Sequence, residues 1–442
     1  MTRTRLAIAL MLLSAGLVWR DPLRAQSGDD VTTHPAFYAA DAQLDGYVTE
    51  ALRRNPAIRE AAARYRAALQ LVPQVRELPD PMVTFTQALR SVETRVGPQR
   101  QTVMLSQAFP WFGTLALREQ VAVQTAAAQY HRYVVSQREV IANVKQAFYN
   151  LAYIDMAVAL TEEEQALLEH YEQLAQARFA TGQGLQQGVI RLQAEITKVI
   201  NRLEHLNQQR VTLAARVNTL RDAPPERPVP RLGALTLPQV TLDLERLYAM
   251  GDQHGPDLQV GIALIERSER TIALAQKTFW PTVTVGVGYQ SIGGRADPAG
   301  RLTPPPDNGK NPLTLSFGAT IPLWRSRIRA GVEQANEELV AQHESYTRVR
   351  NEMEFSVRDA VIRLQTLRDQ IDLFEQVLIP QTEETLRSTE AAYETAQLGV
   401  LDLLDSERMR LDVRLINARY YADYLVALAQ LERAIGTEVP PQ

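Results

Sequence analysis

The chain has 442 residues, 45% of them hydrophobic and 22% charged, with a formal net charge of −4. This balance excludes both a disordered chain and a polytopic helical membrane protein, and it leaves no electrostatic footprint for nucleic acid. Cysteine is absent, which excludes disulfides, thiolate metal sites, cysteine nucleophiles and an acylated cysteine as lipid anchor. Residues 1–25 read as a secretory signal: Arg3 and Arg5 supply the positive start, Leu6 to Trp19 the apolar stretch, and Leu23-Arg24-Ala25 the small-residue cleavage site. A membrane anchor is the alternative, but such an apolar stretch spans only about 20 Å as a helix, too short for a bilayer. Later in the chain no apolar run approaches the ~18 residues of a spanning helix.

Beyond the signal the chain is written twice. Asn55-Pro56-Ala57-Ile58 aligns with Gly255-Pro256-Asp257-Leu258, each inside an apolar helical pattern. Pro79 to Phe85 aligns with Phe279 to Val285, Phe109-Pro110-Trp111-Phe112 with Ile321-Pro322-Leu323-Trp324, and Phe179 to Gln183 with Tyr393 to Gln397. This ordered series predicts a first structural repeat at 26–222, a proline-rich linker at 223–240, a second repeat at 241–436 and a tail at 437–442.

Helical patterns at 41–77 and 244–278 open the two repeats, and strands follow at 82–89, 102–109, 282–290 and 313–321. In the second repeat Val283, Val285, Val287 and Tyr289 alternate with Thr and Gly, and Leu313, Leu315 and Phe317 with Thr, Ser and Gly. Val83 and Phe85 form the equivalent apolar side in the first repeat, where Gln87 and Gln107 blur the pattern. One greasy and one small-polar face fit a tilted strand crossing an outer membrane, with the greasy side toward lipid; a soluble sandwich is the other possibility. Phe109, Trp111, Phe112, Phe279, Trp280 and Trp324 stand at strand ends, where a membrane interface favours amphipathic rings, although strand–helix packing uses them equally.

The rest is helical: long stretches at 112–181 and 324–397, the second interrupted by Pro380, and shorter ones at 189–221 and 402–435. Stacked end to end, two short helices match one long helix, which suggests an antiparallel helical barrel. Four strands with open edges cannot stand alone in lipid. A dimer would give a barrel of about eight strands and a trimer one of about twelve.

These segments resemble the TolC-like outer-membrane efflux proteins over nearly the whole mature chain. The matching pieces are LDGYVTEALRRNPAI (44–58), the PDP before the first strand, LSQAFPWFG (105–113), FWPTVTVGVGYQ (279–290), SFGATIPLW (316–324) and YETAQLGVLDLLDSERM (393–409). The resemblance implies an α+β membrane protein: a homotrimer with a twelve-stranded transmembrane β-barrel, continuous with a periplasmic helical barrel of twelve helices. It further implies docking to a periplasmic adaptor and an inner-membrane pump of the RND type, contact with outer-membrane lipid, and no chemistry or cofactor of its own. LPDPM (78–82) and VETRVGPQ (92–99) are most similar to the branch serving heavy-metal pumps.

Asp402 and Asp405, three residues apart, share one helical face. The resemblance makes them candidate gate residues where three subunits converge, with Tyr393 as a hydrogen-bonding partner in the closed tip. Read from the residues alone, they are equally an acidic first helical turn. The first repeat carries Gly188 and Arg191 at the corresponding positions, and Leu398 stands where many relatives have a basic residue, so the locking network differs from theirs. The glycine-rich turn with Gly182, Gly184 and Gly188 follows no strand and lacks a P-loop lysine. We read it, with Gly399 in the second repeat, as the candidate adaptor-docking tip. The six histidines are scattered, and no serine elbow, metal-ligand helix or nucleotide fingerprint is present. An enzyme is therefore excluded in favour of an export channel, with a periplasmic coiled-coil scaffold or adaptor as the alternative.

Overall fold

A computed structural model describes residues 42–395 and 397–441. The signal segment 1–25 and the start of the first repeat lie outside the described residues. Proline dictates where the first helices break. Helix α1 (Ala42–Arg54) ends at Asn55 and α2 (Pro56–Arg76) begins at Pro56, which has no N–H to donate to the preceding turn. Asn55 caps the new helix by accepting from the Ala57 N–H at 2.9 Å. The stretch expected as one pattern at 41–77 is thus two helices. The same break recurs at Gly255-Pro256, between α5 (Leu244–His254) and α6 (Pro256–Lys277).

Strands β1 (Met82–Gln87), β2 (Gln99–Phe109), β3 (Thr282–Ile292) and β4 (Leu313–Thr320) form one antiparallel sheet in chain order, the only sheet among the described residues. β2 and β3 start or end a few residues beyond the alternating runs. Gln99 pairs with Ile292 and Gln101 with Ser291 across an irregularity that no period-two pattern announces. The β3–β4 connection also carries a short helix, α7 (Pro298–Leu302), which the sequence pattern does not suggest.

Helix α3 (Thr114–Ala180) has 67 residues, about 100 Å at the α-helical rise. α4 (Gln186–Leu220) returns along it, and its end meets the start of α2, where Asn55 donates to the Leu220 carbonyl at 2.8 Å. In the second half, α8 (Arg325–Leu373) continues through a π-turn at Phe374–Leu378 into α9 (Ile379–Glu394). Pro380 accounts for the π-turn: it removes a donor, and the Ile379 N–H instead reaches back to the Phe374 carbonyl. α10 (Val400–Ile435) then runs back and stops at Gly436, whose φ of 76° is left-handed. A Cβ there would lie 2.2 Å from the His254 carbonyl oxygen, so the end of α10 abuts the α5–α6 break as α4 abuts the α1–α2 break. Helix–helix, strand–strand and long helix–short helix therefore follow in the same order in each half.

Among the described residues, apolar clusters hold the helices together. One gathers Leu247, Leu258, Val357, Leu364, Leu428, Leu431 and Ile435 around the helix junctions. Another, formed by Leu168, Tyr171, Leu192, Leu386, Leu403 and Leu404, packs α3, α4, α9 and α10 into a four-helix bundle near the two hairpin turns. On α3 the stripe of Val140, Val144, Ala147, Phe148 and Leu151, at helical spacing, is buried throughout.

Candidate channel wall and periplasmic gate

The sheet register sorts side chains into two faces. On one, Phe85, Val103, Tyr289 and Leu313 lie in one row, and Val83, Leu105, Val287 and Leu315 in the next. Gln107, Val285 and Phe317 form a third row, and Phe109, Val283 and Ala319 a fourth. All nine sequence-predicted wall residues thus share a single face, and most of them are exposed. The opposite face carries Thr84, Met104, Ser106, Thr284, Gly286, Gly288, Thr314, Ser316 and Gly318. Small residues are needed there: a Cβ on Gly286 would come within 2.7 Å of Ser316 Oγ, and one on Gly288 within 2.7 Å of Thr314 Oγ1. The two polar residues that blur the first repeat sit at the ends of the sheet. Gln87 pairs with Gln101 at one end, and Gln107 donates to the Pro79 carbonyl at 2.6 Å at the other.

The junction between strands and helices is aromatic. Trp111 and Trp280 stack with centroids 4.8 Å apart, Phe112 packs edge-on against Trp111, and Arg325 lies over Phe279. Phe112 and Trp324 are largely exposed at the same junction.

At the far end of the long helices the two hairpin turns come together. Gly182 holds a φ of 76°, which turns the chain out of α3. A Cβ on Gly184 would meet the Phe179 nitrogen at 3.1 Å, and one on Gly188 would meet Val400 of the other turn at 3.1 Å. Gly399 precedes α10, and its N–H donates to Asp402 Oδ2 at 3.2 Å, so that carboxylate caps its own helix. Asp402 lines a cleft of about 310 Å³ shared with Gly184, Gly188, Arg191, Tyr393 and Leu398. Asp405 projects from the next turn, 76% exposed, with Arg408 Nη1 at 3.8 Å. Arg408 is itself engaged by Glu195 on α4, whose carboxyl it holds below the usual range.

Tyr393 is buried, and its partner is one the sequence did not suggest. Arg178 lies over its ring at 4.7 Å and donates to its main-chain carbonyl at 2.7 Å, tying the end of α3 to the end of α9. A second set of polar residues also escaped the sequence reading: Glu164, Glu407 and Arg410, buried or half-buried inside the tip bundle. The available signal was positional, since Glu164 precedes Leu168, and Glu407 separates Leu403 from Leu411, along buried helical stripes. Among the described residues no cluster of His, Asp or Glu is arranged to hold a metal ion, and no helix is long and apolar enough to cross a membrane.

An antiparallel sheet with one apolar and one small-polar face thus joins a long array of helical hairpins. Residues 247–437 match the family described as outer membrane efflux protein. Nodulation protein T of Rhizobium leguminosarum bv. trifolii is 20% identical over 94% of this chain and 90% of its own length. Outer membrane protein TolC of Vibrio cholerae is 21% identical over 88% of this chain and 89% of its own. In structure, the outer membrane protein VceC of Vibrio cholerae superposes with a TM-score of 0.74 at 18% identity, covering 90% of this chain and 97% of that one. The second half of the chain thus resembles the outer membrane efflux protein family, and the whole described fold resembles that of VceC.

Proposed function

We propose that the protein is the outer-membrane channel of a tripartite export system, passively conducting cargo delivered by an inner-membrane pump and a periplasmic adaptor to the cell exterior. The observation that carries this reading is the single face on which two adjacent rows of apolar residues cross all four strands. β1 and β4 leave both sheet edges open, and lipid tolerates no open edge, so copies must close the barrel. We take the closed form to be a homotrimer of twelve strands over a twelve-helix periplasmic barrel, each chain contributing two structural repeats. RND-type pumps are the partners that fit, and the LPDPM and VETRVGPQ stretches favour heavy-metal ions as cargo. Exposed Leu185, Ile190 and Leu401 at the hairpin turns offer an adaptor an apolar foothold beside Gly182, Gly184, Gly188 and Gly399.

In the assembled tip, Asp402 and Asp405 each become a ring of like charges that attracts cations and repels anions. Arg408 offsets part of the Asp405 ring, which leaves Asp402 the stronger contributor. Single-channel recording in planar bilayers tests the reading. The wild-type protein gives cation-selective currents, and the double variant Asp402→Ala/Asp405→Ala gives larger currents with cation preference reduced. Unchanged selectivity would remove the two carboxylates from the constriction. A protein that never inserts would return the chain to the scaffold reading.

A further inference from the structure

Glu164 on α3 and Glu407 on α10 occupy core positions of the tip bundle and are 2% and 0% exposed. Their carboxyl groups face each other across the α3–α10 contact, close enough for each to act on the other. Two carboxylates offer only acceptors, so a hydrogen bond between them requires one shared proton. Glu164 Oε2 is buried without a hydrogen-bond partner.

The charges facing this pair come from every helix packed around it. From α10, Arg410 donates to Glu407 at 3.1 and 2.9 Å and to Glu163 at 3.1 Å, while Arg414 holds Glu163 at 2.8 and 3.0 Å. From α4, Arg202 acts on Glu164 at longer range. From α9, Glu390 faces Glu407 and accepts a hydrogen bond from Tyr171 of α3. Arg410 is the cation bound directly to Glu407, and it is shared with Glu163.

We propose that the Glu164–Glu407 pair is a proton latch: protonated, it holds α10 against α3 at the gate end of the bundle, and deprotonated, it releases them so that the tip opens. The proposal rests on the channel reading above. Loss of the shared proton would leave two adjacent carboxylates closed off from water, and separation of α3 from α10 relieves both their repulsion and their desolvation. α10 carries Asp402 and Asp405 on its first two turns, so movement there moves the candidate gate. Burial, with Glu407 alongside, pushes the Glu164 carboxyl up to about 8, and burial raises Glu407 as well. A raised carboxyl favours the packed bundle while it is protonated. That stabilisation is complete below the ordinary carboxylate range and disappears as pH rises through about 8.

The test uses the full-length protein and two readouts between pH 6 and 9.5: single-channel open probability, and thermal unfolding in detergent. Open probability of the wild type rises by up to about tenfold per pH unit through the transition, the ceiling for one linked proton. Glu164→Gln, the isostere of the neutral acid, stays closed and flat across the range. Glu407→Gln does the same, and carries the comparison if the first variant fails to assemble. Wild-type pH dependence persisting in both variants, or a flat wild type, would overturn the latch. If the protein inserts but never conducts, the channel reading fails, and unfolding decides the latch alone. A midpoint that falls between pH 6 and about 8 and levels off above it in the wild type, but not in Glu164→Gln, supports it, and parallel curves refute it.

Discussion

Lys145 and Glu432 illustrate how single residues hold this molecule together. Their charged ends meet at 2.6 Å with both side chains 9% exposed, pinning α3 to α10 near the helix junctions. A buried pair adds little over a well-packed apolar substitute, but half of one is costly, because the remaining charge has neither partner nor water. Glu438, already raised by burial, adds a second carboxyl beside Glu432. Lys145→Met is therefore expected to lower unfolding free energy by about 3–5 kcal/mol, and Lys145→Met/Glu432→Leu to recover most of it, measured by chemical denaturation in detergent. At this scale the sequence was only partly legible. Asp402 and Asp405 stood out because their spacing is local. Arg178 under Tyr393 and the Glu164–Glu407 contact depend on the relative register of separate helices, which no local spacing encodes.

The strands were the most legible elements wherever glycine and threonine alternate with valine, as in β3. They were least legible in β2, where Gln101 and Gln107 fall on the apolar face at its two ends. The register also refines which position lies deepest in that face. Val285 sits beside Gln107, whereas Val287 lies between Leu105 and Leu315. Val287→Arg is thus expected to cost about 2–4 kcal/mol per subunit near the bilayer centre and to deplete assembled protein in the outer-membrane fraction. Normal assembly would invert the face assignment. Among the helices, Pro56 and Pro256 marked breaks that the apolar periodicity ran through. Pro380 announced an interruption without revealing its form, because a missing donor can be absorbed by a kink, a break or, as here, a π-turn.

At the scale of the whole molecule, the channel reading proposed above makes assembly part of folding, because β1 and β4 leave both sheet edges open. The chain has no native cysteine, so thiols can be placed at will. Val83→Cys on β1 with Leu315→Cys on β4, treated with a short bifunctional maleimide, should give covalent products that end at three chains on denaturing gels. Products ending at two would replace the trimer with the smaller barrel. The fold class could be read from alternation and repetition, while the number of copies could not, because strand counting sets only a minimum. Sheet order carries a further cost. The central pair joins β2 to β3, so Gln107 must find Val285 across an entire helical hairpin and the linker that follows it. Closing so large a loop is slow. As the nascent chain emerges into the periplasm, its first hairpin must therefore wait with a greasy face and an unsatisfied edge on display. Kinetic protection by a holdase, rather than intrinsic speed, would then decide how much of the protein reaches the membrane instead of aggregating.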